Sequence, residues 1–199
     1  MQAAPGSEQA PPFHASRVLL VVTGALGASF MPVWLNWLRL SYPAIAFRMV
    51  LTYSAEKMVS RTALTALTGG EIFQDCWPAE PEAVARHVQL ASWPDAVIVY
   101  PTSFHYLARV ALGTADTPSV LAIQCTSAAV AIAPALPPGG EQSPGFHRHL
   151  SLLEAYPNIV VVPPQLGFSA ATGRLDAPTA APFPAVIDAL ERRRARLAR

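Results

Sequence analysis

The chain has 199 residues, of which 52% are apolar and only 14% charged, with a formal net charge of +1. This length suits one sizeable domain, and the balance suits a sheet buried on both faces or an oligomer that covers part of its own surface. Near-neutral charge gives no reason to expect nucleic acid or an anionic membrane as partner, and no apolar run reaches the ~18 residues of a membrane span.

Met1 to Pro12 is rich in Pro, Gln and Ala. It lacks the basic start and apolar core of a signal peptide, so residues 1–15 are expected to form a disordered tail and residues 16–199 a single domain. Val18 to Val22 is a continuous apolar run ending in Thr23-Gly24, read as a buried strand and a glycine turn. Bulky residues at helical spacing follow from Phe30 to Leu40. Ala44 to Leu51 reads as a second strand, and a helical stretch opens at Ser54 and stops at Gly69-Gly70. Pro81 to Leu90 is a short helix or loop. Ala96 to Tyr100 is a third strand and Ser103 to Leu112 the helix after it; Val120 to Ser127 fits helix or strand equally. Ala129 to Ala133 is a strand closed by Pro134. Pro144 to Tyr156 is a helix and Asn158 to Val162 a last strand, with a long polar loop over residues 163–184 before a C-terminal helix from Ala185 to Leu197. Strands alternating with helices predict an α/β domain, a single Rossmann-like (flavodoxin-like) three-layer sandwich with a mostly parallel sheet.

The chemistry gathers at strand ends. Thr23-Gly24-Ala25 forms the first βα turn, where glycine lets a backbone approach a phosphate and the following helix offers unpaired N–H groups. Thr52 and Ser54 end the second strand and suit either phosphate binding or helix capping. Pro101 to Tyr106 places hydroxyls and His105 at the carboxyl edge of the sheet, the edge where open α/β sheets bind nucleotides and flavins. His87 lies on an apolar pattern; such a histidine is either a packed structural residue or a base, imidazole being the side chain that titrates most readily near neutrality. His147 and His149 read as solvated surface rather than a metal pair, because i, i+2 residues point to different sides of a helix. Cys76 and Cys125 form neither a metal-ligand spacing nor a disulfide framework, which predicts free thiols in a reducing cytoplasm, with Cys125 packed. No metal site is expected.

Taken in order, these pieces resemble the homo-oligomeric flavin-containing cysteine decarboxylases, a family that includes peptidyl-cysteine decarboxylases of lanthipeptide and related peptide biosynthesis and phosphopantothenoylcysteine decarboxylase. The resemblance runs from about Arg17 to Asp176. Its points are Val22-Thr23-Gly24, His87 before the third strand, Pro101 to Tyr106 at the Pro-Ala-Ser-Ala-Asn-Thr signature, and Ala111-Leu112-Gly113-Thr114-Ala115-Asp116 at Ala-x-Gly-x-x-Asp. Pro134 to Pro137 falls at the Pro-x-Met-Asn segment and Gly173-Arg174 in the substrate-covering loop. Departures are His105 where the family has asparagine, Leu136-Pro137 for Met-Asn, Phe104 for a small residue and Ala25 for serine.

The resemblance implies FMN as cofactor, bound between subunits of a homotrimer that some members build into a dodecamer. Thr23, Gly24 and Ser54 would hold the phosphate end, with Ala25, Thr52 and Lys57 completing that part of the cofactor site, and Ser103 and the backbone around Phe104 would lie against the flavin, the Phe104 ring being either at the flavin or packed in the core. His105, Leu136, Gly173 and Arg174 are the implied substrate contacts, and His87 and His105 the catalytic pair. The implied reaction is oxidative decarboxylation of the C-terminal cysteine of a precursor peptide to an enethiol, which could then close an aminovinyl-cysteine ring, with other peptide-modifying enzymes as further partners. Residues 163–184 contain no cysteine, whereas phosphopantothenoylcysteine decarboxylases carry one in the covering loop to protonate the intermediate. A phosphopantothenoylcysteine decarboxylase-like enzyme, a flavin prenyltransferase and a non-catalytic flavoprotein subunit stay open as alternatives at this point.

Overall fold

A computed structural model describes residues 10–198. Six parallel strands form the central sheet in the order β3-β2-β1-β4-β5-β6. β1 (Arg17–Val22) lies at its centre, between β2 (Ala46–Leu51) and β4 (Ala96–Ser103). β3 (Ile72–Gln74) borders β2; β5 (Ala129–Ala135) and β6 (Ile159–Val161) complete the other side. Register runs in step, Val18 standing opposite both Phe47 and Ala96, and Ala96 opposite Ala129.

Continuously apolar strands need cover on both faces, and period-2 alternation decides which side chain meets which layer. Val18, Leu20 and Val22, with Met49, Ile98 and Ala131, meet α1 (Met31–Ser41), α2 (Arg61–Thr68) and α7 (Phe183–Leu197). Leu19 and Val21, with Val50, Val97 and Ile132, meet α3 (Arg86–Ser92), α4 (Phe104–Leu112), α5 (Pro118–Cys125) and α6 (Pro144–Leu153). Local chemistry sets the helix ends. The Ser60, Ser103 and Ser143 hydroxyls accept from backbone N–H groups of the first turns of α2, α4 and α6. Gly69 and Gly113 close α2 and α4 in the left-handed region, with φ of 61° and 63°.

This is the expected three-layer α/β sandwich, with several local corrections. β3 was not foreseen: it has three residues and starts one residue after Gly69-Gly70, a pair that reads only as a stop. β4 extends through Pro101 to Ser103, and the Tyr100–Pro101 peptide is cis. β5 likewise passes through Pro134 to Ala135. Its pairing with β6 ends at Ile132, so beyond that point the proline interrupts no ladder on the β6 side. The ambiguous stretch from Val120 is helical. Residues 163–184 are not a structureless loop: β7 (Gln165–Phe168) and β8 (Leu175–Thr179) form an antiparallel hairpin. Gly167 makes the pairing close, since a Cβ there would come within 2.5 Å of the Thr179 side chain. Pro, Gly and Thr hid the alternation from view.

Three further expectations change. His149 is buried rather than solvated, at 8% exposure, with its ring edge against Phe104. Cys125 ends α5 as an exposed thiol, not a packed one. Of the expected tail, residues 1–9 lie outside the described residues, while residues 10–15 lie against the fold. Phe13 packs edge-on against Tyr42 at 5.4 Å, and the Tyr42 hydroxyl donates to the Pro11 carbonyl at 2.7 Å. Among the described residues no helix is long and apolar enough to cross a membrane.

Candidate active site

β1 and β4 lie side by side at the middle of the sheet, yet the chain leaves β1 for a helix on one face and β4 for a helix on the other. Such a topological switch opens a crevice at the carboxyl ends of the strands. Thr23 braces that crevice. Its hydroxyl donates to the Pro101 carbonyl at 2.8 Å and accepts from the Ser103 N–H at 2.7 Å, and its own N–H reaches Pro101 at 3.3 Å. The side chain is fully buried, so Thr23 serves as a tie between β1 and the end of β4.

The turn after Thr23 makes a cradle with the end of β2. A Cβ on Gly24 would lie 2.3 Å from the Ser54 Cβ, so only glycine lets the two turns meet. Thr52 accepts from the Ala55 N–H at 3.3 Å and caps the 3-10 turn Ala55–Lys57. Ser54 is exposed and makes no capping bond, so its hydroxyl stands at the cradle with Gly24 and Ala25. Lys57 lies 4.4 Å over the Tyr53 ring at the same edge. The Ala25 N–H is spent on the Thr23 carbonyl at 2.8 Å, but the Gly24 N–H, an uncommitted hydroxyl and an ammonium are donors of the kind a phosphate needs.

Across the crevice, α4 begins. Ser103 caps it and His105 is exposed on its first turn. The Phe104 ring does not face the crevice: it packs on Phe146 and His149, at 6.1 and 6.0 Å, so only its backbone stands at the edge. Leu136 also departs from its expected role. Its side chain is buried in the core, while its N–H donates to the Pro178 carbonyl at 2.8 Å and anchors the β7–β8 hairpin to β5. At the hairpin's turn Gly173 takes φ of 69° and Arg174 is exposed, while Leu166, Phe168 and Leu175 present an exposed apolar surface on the strands.

His87 sits apart, on the first turn of α3, in a cleft of about 360 Å³ lined by Trp77, Pro78, Glu80, Pro81 and Arg86 among others. Among the described residues no hydrogen bond or ring contact joins it to the cradle. Its Nδ1 is buried without a partner, and its ring meets the Trp77 indole at 5.7 Å, edge to face. A second cleft, of about 470 Å³, lies at the opposite edge of the sheet beside Arg39, Arg48 and Trp93. Its Arg48 is already paired with Glu71 at 2.8 Å and stacked on Trp93.

Several residues that organise this region carried no signal in the sequence. Asp75, just past β3, accepts from the Thr117 hydroxyl at 2.9 Å and from the Ser119 N–H at 3.0 Å, at the start of α5. Arg109 binds Asp116 Oδ1 through Nε at 2.9 Å and through Nη2 at 2.7 Å, and reaches the Thr117 hydroxyl at 2.6 Å. Burial works to raise the Asp116 pKa, but hydrogen bonds from Arg109 and Thr114 and the guanidinium charge outweigh it and hold the carboxyl below its ordinary value. Tyr106, buried against Asp75 and bonded to Ser119 at 2.6 Å, is pushed well above the usual phenol range, chiefly by burial. Only Gly113 and Asp116 of this network stood out in sequence. Asp75→Ala should cost about 1–3 kcal/mol, because it leaves the Ser119 N–H without its acceptor in the interior. A drop of roughly 2–10 °C in Tm by differential scanning calorimetry checks this.

Known proteins resemble this chain in sequence and fold. The cypemycin cysteine dehydrogenase (decarboxylating) of Streptomyces sp is 28% identical over 153 residues, covering 76% of this chain and 78% of that protein. The coenzyme A biosynthesis bifunctional protein CoaBC of Haemophilus influenzae is 26% identical over 157 residues; the match takes in 79% of this chain but spans only 38% of that longer protein. The crystal structure of the cypemycin decarboxylase CypD superposes with a TM-score of 0.78 at 23% identity, covering 94% of this chain and 98% of that one, which shows a shared fold. The family model described as Flavoprotein matches residues 8–192, a span that takes in every strand of both sheets and both turns of the cradle, and the chain belongs to that family.

Proposed function

We propose that the protein is an FMN-dependent decarboxylase that oxidises the C-terminal cysteine of a peptide and releases an enethiol and CO2. The observation that carries this reading is the Gly24–Ser54 cradle, set beside the switch point of a Flavoprotein-family sheet where a Cβ would close it. The match to a cysteine dehydrogenase of the decarboxylating type supports the reaction class.

The residues fit the cofactor's phosphate end. The Gly24 backbone N–H, the Ser54 hydroxyl and the Lys57 ammonium would hold it, with Ala25 in the turn beside them, its own N–H spent on the Thr23 carbonyl at 2.8 Å, while Thr23 keeps the crevice walls together. When bound, FMN supplies the two-electron oxidation, taking up the hydride that leaves the cysteine Cβ. The chain's own part is binding and proton management. His105, on the first turn of α4, stands where unpaired N–H groups and the positive helix end favour an anion, and there it would receive the substrate carboxylate. His87 would accept the thiol proton. Its distance from the cradle's own contacts fits a site assembled between protomers of a homo-oligomer, and the exposed apolar Leu26, Phe30, Val33 and Met58 beside the cradle offer a surface for a neighbour. The hairpin bearing Gly173 and Arg174 would close over the peptide. It contains no cysteine, and Cys76 and Cys125 lie elsewhere, so no thiol stands ready in the hairpin to protonate the product to a saturated one.

His105→Asn should preserve turnover to within about fivefold, because an amide donor replaces an imidazole donor and the difference between them is on the order of 1 kcal/mol. Steady-state kinetics on a peptide ending in cysteine checks this. The function itself is tested by mixing the FMN-loaded protein with such a peptide without oxygen. Bleaching of the flavin's visible absorbance, reversed on admitting air, is the expected result; an unchanged spectrum contradicts it.

A further inference from the structure

We infer that Trp77 is the positioning residue for His87. The inference rests on the reading of His87 as the base. A working imidazole is normally held in one orientation by a hydrogen bond at the nitrogen that does not react. Here Nδ1 is buried and, among the described residues, has no partner. What fixes the ring instead is the edge-to-face contact with the Trp77 indole, at 5.7 Å and 70°.

Trp77 could not perform this role if it were itself loose, since it is 47% exposed and lies in the irregular segment between β3 and α3. Its anchor is the indole N–H, which donates to the backbone carbonyl of Asp116 at 2.9 Å. Asp116 is in turn held by two bonds from Arg109 and one from the Thr114 hydroxyl. A chain of contacts thus runs from α4 through the α4–α5 turn to the indole and so to the imidazole. Arg86, next to His87, is tied separately, by its pairing with Glu82 and by lying 5.0 Å over the Phe73 ring. The backbone of α3 is therefore held at one point and the imidazole at another.

The test uses the FMN-loaded protein and a synthetic peptide ending in cysteine. Trp77→Ala should lower kcat about 100-fold, the scale of a misplaced catalytic group, with KM, flavin content and Tm little changed. Trp77→Phe, which restores a ring without the N–H anchor, should recover only part of that loss. In the double variant Trp77→Ala with His87→Gln, the Trp77 substitution should add nothing further, because its effect passes through His87. Full additivity, a change in KM alone, or a phenylalanine as active as the parent tryptophan would each overturn the inference. A readout independent of turnover is the His87 ring-proton resonance, assigned by its absence in His87→Gln. Loss of the indole should move it, and an unmoved resonance overturns the positioning role whatever the activity. Should His87→Gln itself remain active while the resonance moves, the base assignment falls and the positioning of the ring by Trp77 stands.

Discussion

Replacing His87 by asparagine should abolish most decarboxylation while leaving flavin binding intact. A positioned base contributes roughly 10²- to 10⁴-fold to a proton-transfer step, so kcat should fall by that order. Flavin content should not change, because His87 lies outside the Gly24–Ser54 cradle and shares no contact with it among the described residues. The separation of the two effects is the informative part. A structural histidine packed against Trp77 would, on replacement, lower Tm and flavin content together, whereas a base lowers kcat alone. Flavin absorbance, calorimetry and steady-state rates on the same preparation distinguish these outcomes, and turnover within a few-fold of the parent would remove His87 from the mechanism.

The second large effect belongs to the cradle. Gly24→Ala would put a Cβ 2.3 Å from that of Ser54, a distance that no small adjustment of a flexible side chain relieves, since both atoms sit directly on backbone. Overpacking of this kind costs about 1–3 kcal/mol. Expressed at the cradle, that is a weakening of FMN binding by roughly tenfold to a hundredfold. The cause is testable within the same pair: Ser54→Gly in the Gly24→Ala background removes the clash. Part of the affinity should then return, limited by loss of the serine hydroxyl proposed to bind the phosphate. If the double variant binds FMN no better than Gly24→Ala alone, the two turns do not form one site. Isothermal titration of the apoproteins with FMN gives the comparison directly.

Much of this architecture was legible in the sequence because the strongest signals are local. Val18 to Val22 and Ala96 to Tyr100 are continuous apolar runs that only a doubly covered strand accommodates, and serine before and glycine after α4 mark its ends. The cradle was legible for the same reason, being built from a glycine turn and a strand end. What remained hidden depends on contacts between distant segments. Nothing near Asp75 announces that it will meet Thr117 and Ser119 across the domain. Nor does the spacing of Arg109 and Asp116, seven residues apart and on either side of a helix end, suggest a pair. Leu136 was expected at the substrate, and Phe104 at the cofactor through its backbone, because of their place beside motif residues. Both side chains turn inward, as large apolar groups do when an adjacent helix offers a packing surface, leaving only their backbones at the edge; for Leu136 this replaces the expected side-chain contact. The hairpin of residues 165–179 escaped notice because its register rests on Gly167 and Pro178, residues that ordinarily argue against a strand.

The measurement that most directly tests the central claim is the mass of a peptide ending in cysteine after incubation with the FMN-loaded protein in air. The account predicts a loss of about 46 Da, CO2 plus two hydrogens, because the cofactor supplies an oxidation coupled to decarboxylation. It also predicts that the same peptide ending in a cysteine amide, which has no carboxylate to lose, keeps that group. A loss of CO2 alone, or no change in any peptide of a broad library ending in cysteine, would contradict it.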